Sequence, residues 1–175
     1  MSVRTGRVQL TLPTPADEAD LIGLVRRSRS LHEPWVFPPD SPERYRAYLD
    51  RIAAGRTIGY FVKERESGRL AGVVNLNEPL MGALCSAYLG YYADIEMAGR
   101  GLLSEGVSLA IDAAFSAGGF HRLEANIQPG NAASLALVRR LGFGKEGFSP
   151  RYLNIGGEWR DHERWAILSD EWTIS

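Results

Sequence analysis

A single mixed α/β domain, with helices on both faces of one sheet, is the architecture this sequence predicts. Three observations carry that expectation. Stretches that alternate apolar and polar side chains are interleaved with stretches of helical period. No repeat, low-complexity tract or long linker divides the 175 residues, so residues 1–175 are read as one domain. Two separate glycine-bearing turns each join the end of a strand to the start of a helix.

Taken in order, Val8 to Leu12 alternates and reads as an opening strand. Thr14 can cap a helix, Pro15 suits its first position, and Asp17 and Glu18 favour its positive end. That helix is expected to run to about Leu31. The segment from His32 to Pro39 cannot continue it, because each proline removes a donor and restricts its predecessor. Ser41-Pro42 opens a second helix, with Tyr45, Tyr48, Leu49 and Ile52 at helical spacing and Gly55 at its end. Ile58 to Lys63 and Leu70 to Leu76 form a hairpin across Ser67-Gly68, and Cys85 to Ala93 is a further strand. Leu102 to Ala117 is the clearest helix, with Leu103, Val107, Ala110, Ile111, Ala114 and Phe115 on one stripe. Arg122 to Ile127 follows as a strand and Asn131 to Leu141 as a helix stopped by Gly142. Two final strands fall at Lys145 to Asn154 and His162 to Leu168, with 157–161 as the turn before the last. The order is β-α-α-β-β-β-α-β-α-β-β.

Composition excludes several function classes. Twenty basic residues against twenty-one acidic give a formal charge of −1, which offers no electrostatic case for nucleic acid or a membrane surface. Cys85 is the only cysteine, so neither a disulfide framework nor a multi-thiolate metal site can form. His32, His121 and His162 share no ligand spacing, and no metal is expected. The N-terminal residues lack the apolar core of a secretory signal, and no stretch approaches the ~20 apolar residues of a membrane span. The expected compartment is the cytoplasm.

The segment Gly90 to Leu103 carries the first functional signal. A strand ends near Ala93 and a strong helix begins directly after Gly101. Glycines let the backbone approach a ligand, and the free amides of a first helical turn together with the helix dipole make an anion site. Arg100 adds a positive side chain. The turn is neither a Walker A loop nor a Gly-x-Gly-x-x-Gly dinucleotide turn, since Ser104 occupies the third glycine position. A tight turn alone would also account for the glycines.

A second motif follows, Asn131-Ala132-Ala133-Ser134 through Leu141-Gly142-Phe143 to Glu146-Gly147. Capping explains Asn131 by itself, and a small polar helix position explains Ser134. The two motifs together resemble the GNAT superfamily of N-acetyltransferases, in the branch typified by the ribosomal-protein N-terminal acetyltransferases, over nearly the whole chain. The family pattern Gln/Arg-x-x-Gly-x-Gly/Ala matches Ala98 to Leu103 at its central glycine, Gly101, and at the basic residue before it. Ala98 and Leu103 depart from it. The resemblance implies a GNAT-like mixed, mostly antiparallel sheet of seven strands with helices on both faces. It also implies acetyl-CoA as cosubstrate, its pyrophosphate on the amides of residues 98–103, Asn131 beside the pantetheine arm and Ser134 near the sulfur.

Acetyl transfer requires a neutral amine, a polarised thioester and a proton for the leaving thiolate. Two strands, those holding Tyr91-Tyr92 and Leu123 to Ile127, are expected to splay after a bulge and leave an edge on which pantetheine pairs. A backbone N–H near Tyr92 or Ala93 would polarise the carbonyl, and Ser134 would protonate the thiolate, with direct transfer in a ternary complex. The base is less legible: Tyr88 and Ile127 stand where relatives place a carboxylate and a cysteine. His32 and Glu33 remain as candidates, both read as surface residues. Trp35 and Phe37 either plug the core or line the acceptor pocket. The acceptor is a primary amine, a peptide N-terminus or a small molecule. Homodimerisation is compatible with such folds. A non-catalytic acyl-CoA-binding module and transfer of a longer acyl group are the alternative readings.

Overall fold

The computed structural model describes residues 6–173. One seven-stranded sheet runs in the order β1-β2-β3-β4-β5-β7-β6. Its strands are β1 (Val8–Thr11), β2 (Thr57–Glu64), β3 (Leu70–Leu80), β4 (Ser86–Ala93), β5 (Arg122–Ile127), β6 (Gly144–Ile155) and β7 (Glu158–Leu168). Every neighbouring pair is antiparallel except β4 and β5. That exception follows from connection length, since a helical crossover brings the chain back in the same direction.

The helices are α1 (Glu18–Arg27), α2 (Arg29–His32), α3 (Pro42–Ala53), α4 (Leu102–Ser116) and α5 (Ala132–Arg140). Alternation along the central strands sorts the core onto two faces. Phe61, Val73 and Tyr92 pack with Leu21, Leu24, Tyr45 and Tyr48 of α1 and α3. Val62, Val74, Leu76 and Leu89 pack with Leu102, Val107, Ala110 and Ile111 of α4 and with Leu135 and Val138 of α5.

The expected order of elements is present, and the differences have local causes. The first helix is not continuous to Leu31. A 3-10 turn at Pro15–Asp17 precedes α1, and the chain breaks at Ser28 before α2. The Ser28 hydroxyl accepts the Ile95 N–H at 2.9 Å, so it serves the loop after β4. The α4 stripe is rotated from the expected one. Leu102 and Gly106 are buried, whereas Leu103 and Phe115 are only half-buried. In β3 the register slips between Asn77 and Leu80, where Glu78 adopts φ 46 and Pro79 cannot donate. Residues 158–161 are strand, not turn, because Gly156 and Gly157, with φ 62 and 89, already reverse the chain.

Gly106 sets how closely α4 approaches the sheet. A Cβ there would lie 2.4 Å from Val62 Cγ2, and a β-branched side chain cannot swing clear. Gly106→Ala is therefore expected to lower the melting temperature, although alanine is the better helix former by about 1 kcal/mol. Overpacking of about 1–3 kcal/mol, at about 2–4 °C for each, predicts a loss of several degrees in a thermal melt. An unchanged melt would mean that α4 is free to shift.

Candidate active site

Pairing between β4 and β5 is limited to Ser86↔Arg122, Ala87↔Leu123 and Tyr88↔Glu124. Beyond Tyr88 the strands separate, while β3 and β7 hold their outer edges. The splay expected from the sequence is thus present, but the register irregularity lies in β3, opposite the start of β4. Two cavities occupy the gap. The larger, of about 770 Å³, runs from the end of β4 to the N-terminus of α4. The smaller, of about 440 Å³, lies between the splayed strands and the β6–β7 hairpin. Trp35, Val36, Tyr91, Asn131 and Ser134 line both.

The turn before α4 leaves backbone amides free at the cavity. Gly99 and Gly101 adopt φ 76 and 79, a region that a side chain disfavours, and Gly101 is the N-cap of α4. The amides of the first helical turn have no intrahelical acceptor and belong to the wall of the larger cavity. The loop is held from below by Asp94, a fully buried carboxylate. Burial raises its pKa, but the Arg27 guanidinium, at 2.9 and 2.5 Å, and the Glu96 N–H outweigh that and keep it ionised.

Tyr92, Ala93, Ala98, Gly99, Gly101, Leu102, Leu103, Asn131 and Ser134 all line the larger cavity, as the sequence placed them. Arg100 does not. Its guanidinium pairs with Glu64, at the far end of β2, so it braces the turn from outside. The cations at the cavity are instead Arg7 and Arg140. Arg7 donates to the Arg100 carbonyl at 2.8 Å and to Glu105 at 3.2 Å, which seats it beside Gly101. A lone arginine seven residues into the chain has no local signal that would reveal this.

Asn131 caps α5, accepting the Ser134 N–H at 3.2 Å, so its structural role is present along with its place on the cavity wall. The Ser134 hydroxyl meets the Tyr91 hydroxyl at 2.7 Å, a partner that sequence reading did not single out. Burial pushes the Tyr91 phenol up to about 12, against the Ser134 hydrogen bond, so it stays protonated at neutral pH.

The expected bases stand elsewhere. Glu33 is exposed, 3.6 Å from Arg29, and faces only a crevice of about 20 Å³. His32 is not a surface residue: it is 3% exposed and lines the larger cavity, not the smaller. Its Nε2–H donates to the Ala93 carbonyl at 2.7 Å, its ring lies edge-on to Tyr92, and Nδ1 is left without a partner. Burial pushes its pKa down, opposed by the Ala93 bond and by the charge of Asp94. Trp35 lines both cavities and lies over Gly130, whose Cβ would be 3.1 Å from the indole. Phe37 lines neither large cavity and instead covers Gly156. Cys85 bonds the Gly82 carbonyl at 3.0 Å, outside both cavities.

The smaller cavity carries no charged side chain among the described residues. Besides Tyr91, Asn131 and Ser134, its polar wall holds Asn77, Asn126, Gln128, Tyr88, Tyr152 and His162. His162 was absent from the sequence-derived site because a lone histidine in a strand looks like any other. It is 3% exposed, and its Nδ1–H donates to the Arg160 carbonyl at 2.9 Å. Burial pushes its pKa down, opposed by that bond and by Asp161.

A splayed parallel pair, glycines before a helix and a cap three residues ahead of a serine stand together around the two cavities. Residues 7–144 match the family model described as an acetyltransferase (GNAT) domain. Across 97% of this chain and 91% of the relative, the sequence is 30% identical to the [ribosomal protein uS5]-alanine N-acetyltransferase of Escherichia coli. It is 33% identical to a probable N-acetyltransferase of Bacillus subtilis, covering 74% of this chain and 71% of the other. Among solved structures, a ribosomal-protein-S5-alanine acetyltransferase from Vibrio fischeri superposes with a TM-score of 0.83 at 25% identity, over 99% of both chains. Mycobacterium smegmatis RimJ in complex with CoA-disulfide gives 0.84 at 27%, over 94% of this chain and 83% of that one. The chain belongs to the GNAT acetyltransferase family. It is an N-acetyltransferase that draws its acetyl group from acetyl-CoA. No helix among the described residues is long and apolar enough to cross a membrane.

Two predictions follow from this geometry. Arg7→Ala is expected to weaken acetyl-CoA binding about tenfold or more, the scale of a lost hydrogen bond to a charged group. Arg100→Ala is expected to leave binding within about threefold and to act on stability instead; calorimetric titration of both variants separates them, and the reverse ranking would restore Arg100 to the phosphate site. Stability should also fall with acid. A histidine whose folded pKa lies below its unfolded value favours the native state above the unfolded value, about 6.5, and loses that contribution as pH falls through the folded one. Both His32 and His162 act in this sense, so thermal melts should decline as pH falls below about 6.5. The decline should be shallower in His32→Gln.

Proposed function

We propose that this enzyme acetylates the α-amine of a protein N-terminus by direct attack within a ternary complex. The observation that carries this reading is the charge-free smaller cavity, which meets the larger one at Tyr91 and Ser134. A polyamine brings several positive charges, and burying them without carboxylates is costly. A chain terminus brings one amine, which burial helps to deprotonate. The E. coli relative of nearly equal length, named for acetylating an alanine of a ribosomal protein, points the same way.

On this reading, the amides of residues 99–104 hold the pyrophosphate of acetyl-CoA, with Arg7 and Arg140 compensating its charge. The cavity wall fits that group: two left-handed glycines keep it clear of side chains, and the edge of β4 beyond Tyr88 lacks a strand partner on the β5 side. The cosubstrate supplies an activated thioester. Ser134 gives a proton to the leaving thiolate, and Tyr91 orients and backs that hydroxyl. Trp35 walls the junction, while Asn131 fixes Ser134 through the cap. His32 positions Ala93 at the end of β4.

The test is acetyl transfer, read by mass spectrometry, to peptides with free N-terminal alanine or serine, to spermidine and to lysine. The peptides should be modified at the α-amine, with spermidine at least about tenfold poorer in kcat/KM, a difference of about 1.4 kcal/mol. Preference for spermidine would overturn the assignment. Ser134→Ala should lower kcat about 10- to 100-fold, toward the lower end of general-acid effects, with little change in KM for acetyl-CoA; Tyr91→Phe should lie between that variant and the wild type.

A further inference from the structure

For removal of the amine's proton the sequence offers only His32 and Glu33, and neither lines the smaller cavity. We propose that His162 is the general base of this enzyme, taking the acceptor's proton at Nε2; this rests on the reading of the smaller cavity as the acceptor site.

The orientation of the imidazole is fixed. A carbonyl can only accept, so the 2.9 Å contact between Nδ1 and Arg160 O places the ring hydrogen on Nδ1 and leaves Nε2 as a bare lone pair. Among the described residues no protein group bonds Nε2, yet the side chain belongs to the wall of the cavity. The ring is buried and held edge-on against Tyr152, with centroids 6.3 Å apart. Asn126 stands diagonally across the β5–β7 pair on the same face, since its direct partner is Arg164. The Asn126 side-chain oxygen has no partner and lines the same cavity. A histidine nitrogen and an amide oxygen with no bonded protein partner, on two side chains that line one cavity, suit an ammonium group that must lose a proton. The groups facing His162 are Tyr152 from β6 and Tyr88 from β4 across the cavity, with Asp161 and Arg160 beside it on β7. Burial pushes the Tyr88 phenol up, so it stays protonated at pH 7, and among the described residues no cation or carboxylate lines the cavity to compete for the proton.

The step balances as follows. Nε2 takes one proton from the acceptor ammonium and passes it to water. The freed lone pair forms the C–N bond to the thioester carbonyl carbon, and the C–S bond breaks. One of the two hydrogens still on nitrogen leaves as the amide forms, and it offsets the proton that Ser134 gives to the thiolate.

The experiment uses the full chain, acetyl-CoA and an alanine-starting peptide, with kcat and both KM values measured from about pH 5.5 to 9.5 for the wild type, His162→Asn and His162→Ala. Asparagine can keep the donor toward the Arg160 carbonyl while deleting Nε2, so it separates structural from chemical loss. Expected at pH 7 is a fall in kcat of about 100-fold in both variants, within the range for a lost general base. KM for acetyl-CoA should stay within about twofold, and added imidazole should restore part of the rate in His162→Ala alone. The wild-type kcat should bend downward below about pH 6.5, where a histidine becomes protonated, and that bend should vanish in the variants. His162→Asn with kcat within threefold of wild type overturns the proposal, as does loss of acetyl-CoA binding in parallel with kcat. Wild-type enzyme that binds acetyl-CoA but acetylates no peptide or small amine overturns the acceptor reading and this one together.

Discussion

Everything at this site depends on where β4 and β5 stop pairing. Among the described residues they are the only parallel neighbours in the sheet, and their ladder ends after three residue pairs, at Tyr88 and Glu124. Continuing it would satisfy more backbone groups but would close both cavities. Instead the inner edge of β4 is left for another extended partner, and buried peptide groups need one. The gap is kept open by what stands in it. Tyr91 and Ser134 join β4 to α5 through their hydroxyls, and Gln128 reaches the carbonyls of Pro34 and Trp35 at 3.5 and 3.4 Å.

The same economy governs the turn before α4. A loop with two left-handed glycines would be loose if only its own residues held it. Here α1 holds it, through Arg27 on the buried Asp94 and Ser28 on the Ile95 amide, while Arg100 and Glu64 clamp its outer side. The break between α1 and α2 is thus the local cost of using Ser28 as an anchor. Preorganised amides are useful only when such contacts fix them before the ligand arrives.

Most of the fold was legible because period and punctuation are local. Strand and helix spacing, Thr14 and Asn131 as caps and the glycines after helices each act within a few residues. Ala98, Gly99 and Gly101 to Leu103 on the cavity wall were legible for the same reason, since the free amides at a helix N-terminus point outward past that end. Side chains with long reach were not. Arg100 has the right position in the chain but is captured by Glu64, whereas Arg7, just before β1, lines the cavity instead. His162 needed facts that no window contains: the β5–β7 register that sets Asn126 on its face, the bond that fixes its tautomer and a cavity beside its ring. Phe37 was misjudged because a large apolar group in a proline-rich loop can find a glycine as easily as a pocket.

The Phe37 contact has a consequence for how acceptor choice can change over evolution. A Cβ at Gly156 would fall 2.4 Å from the Phe37 ring, so the tip of the β6–β7 hairpin and the proline-rich segment interlock. Both also wall the smaller cavity, one through Tyr152, Leu153 and His162, the other through Trp35 and Val36. Neither wall can be remodelled alone without unseating the other. New acceptor preferences in this scaffold should therefore arise as matched pairs of changes, distant in the gene and adjacent in the protein, and loop grafts from a sister enzyme should succeed only when both segments travel together.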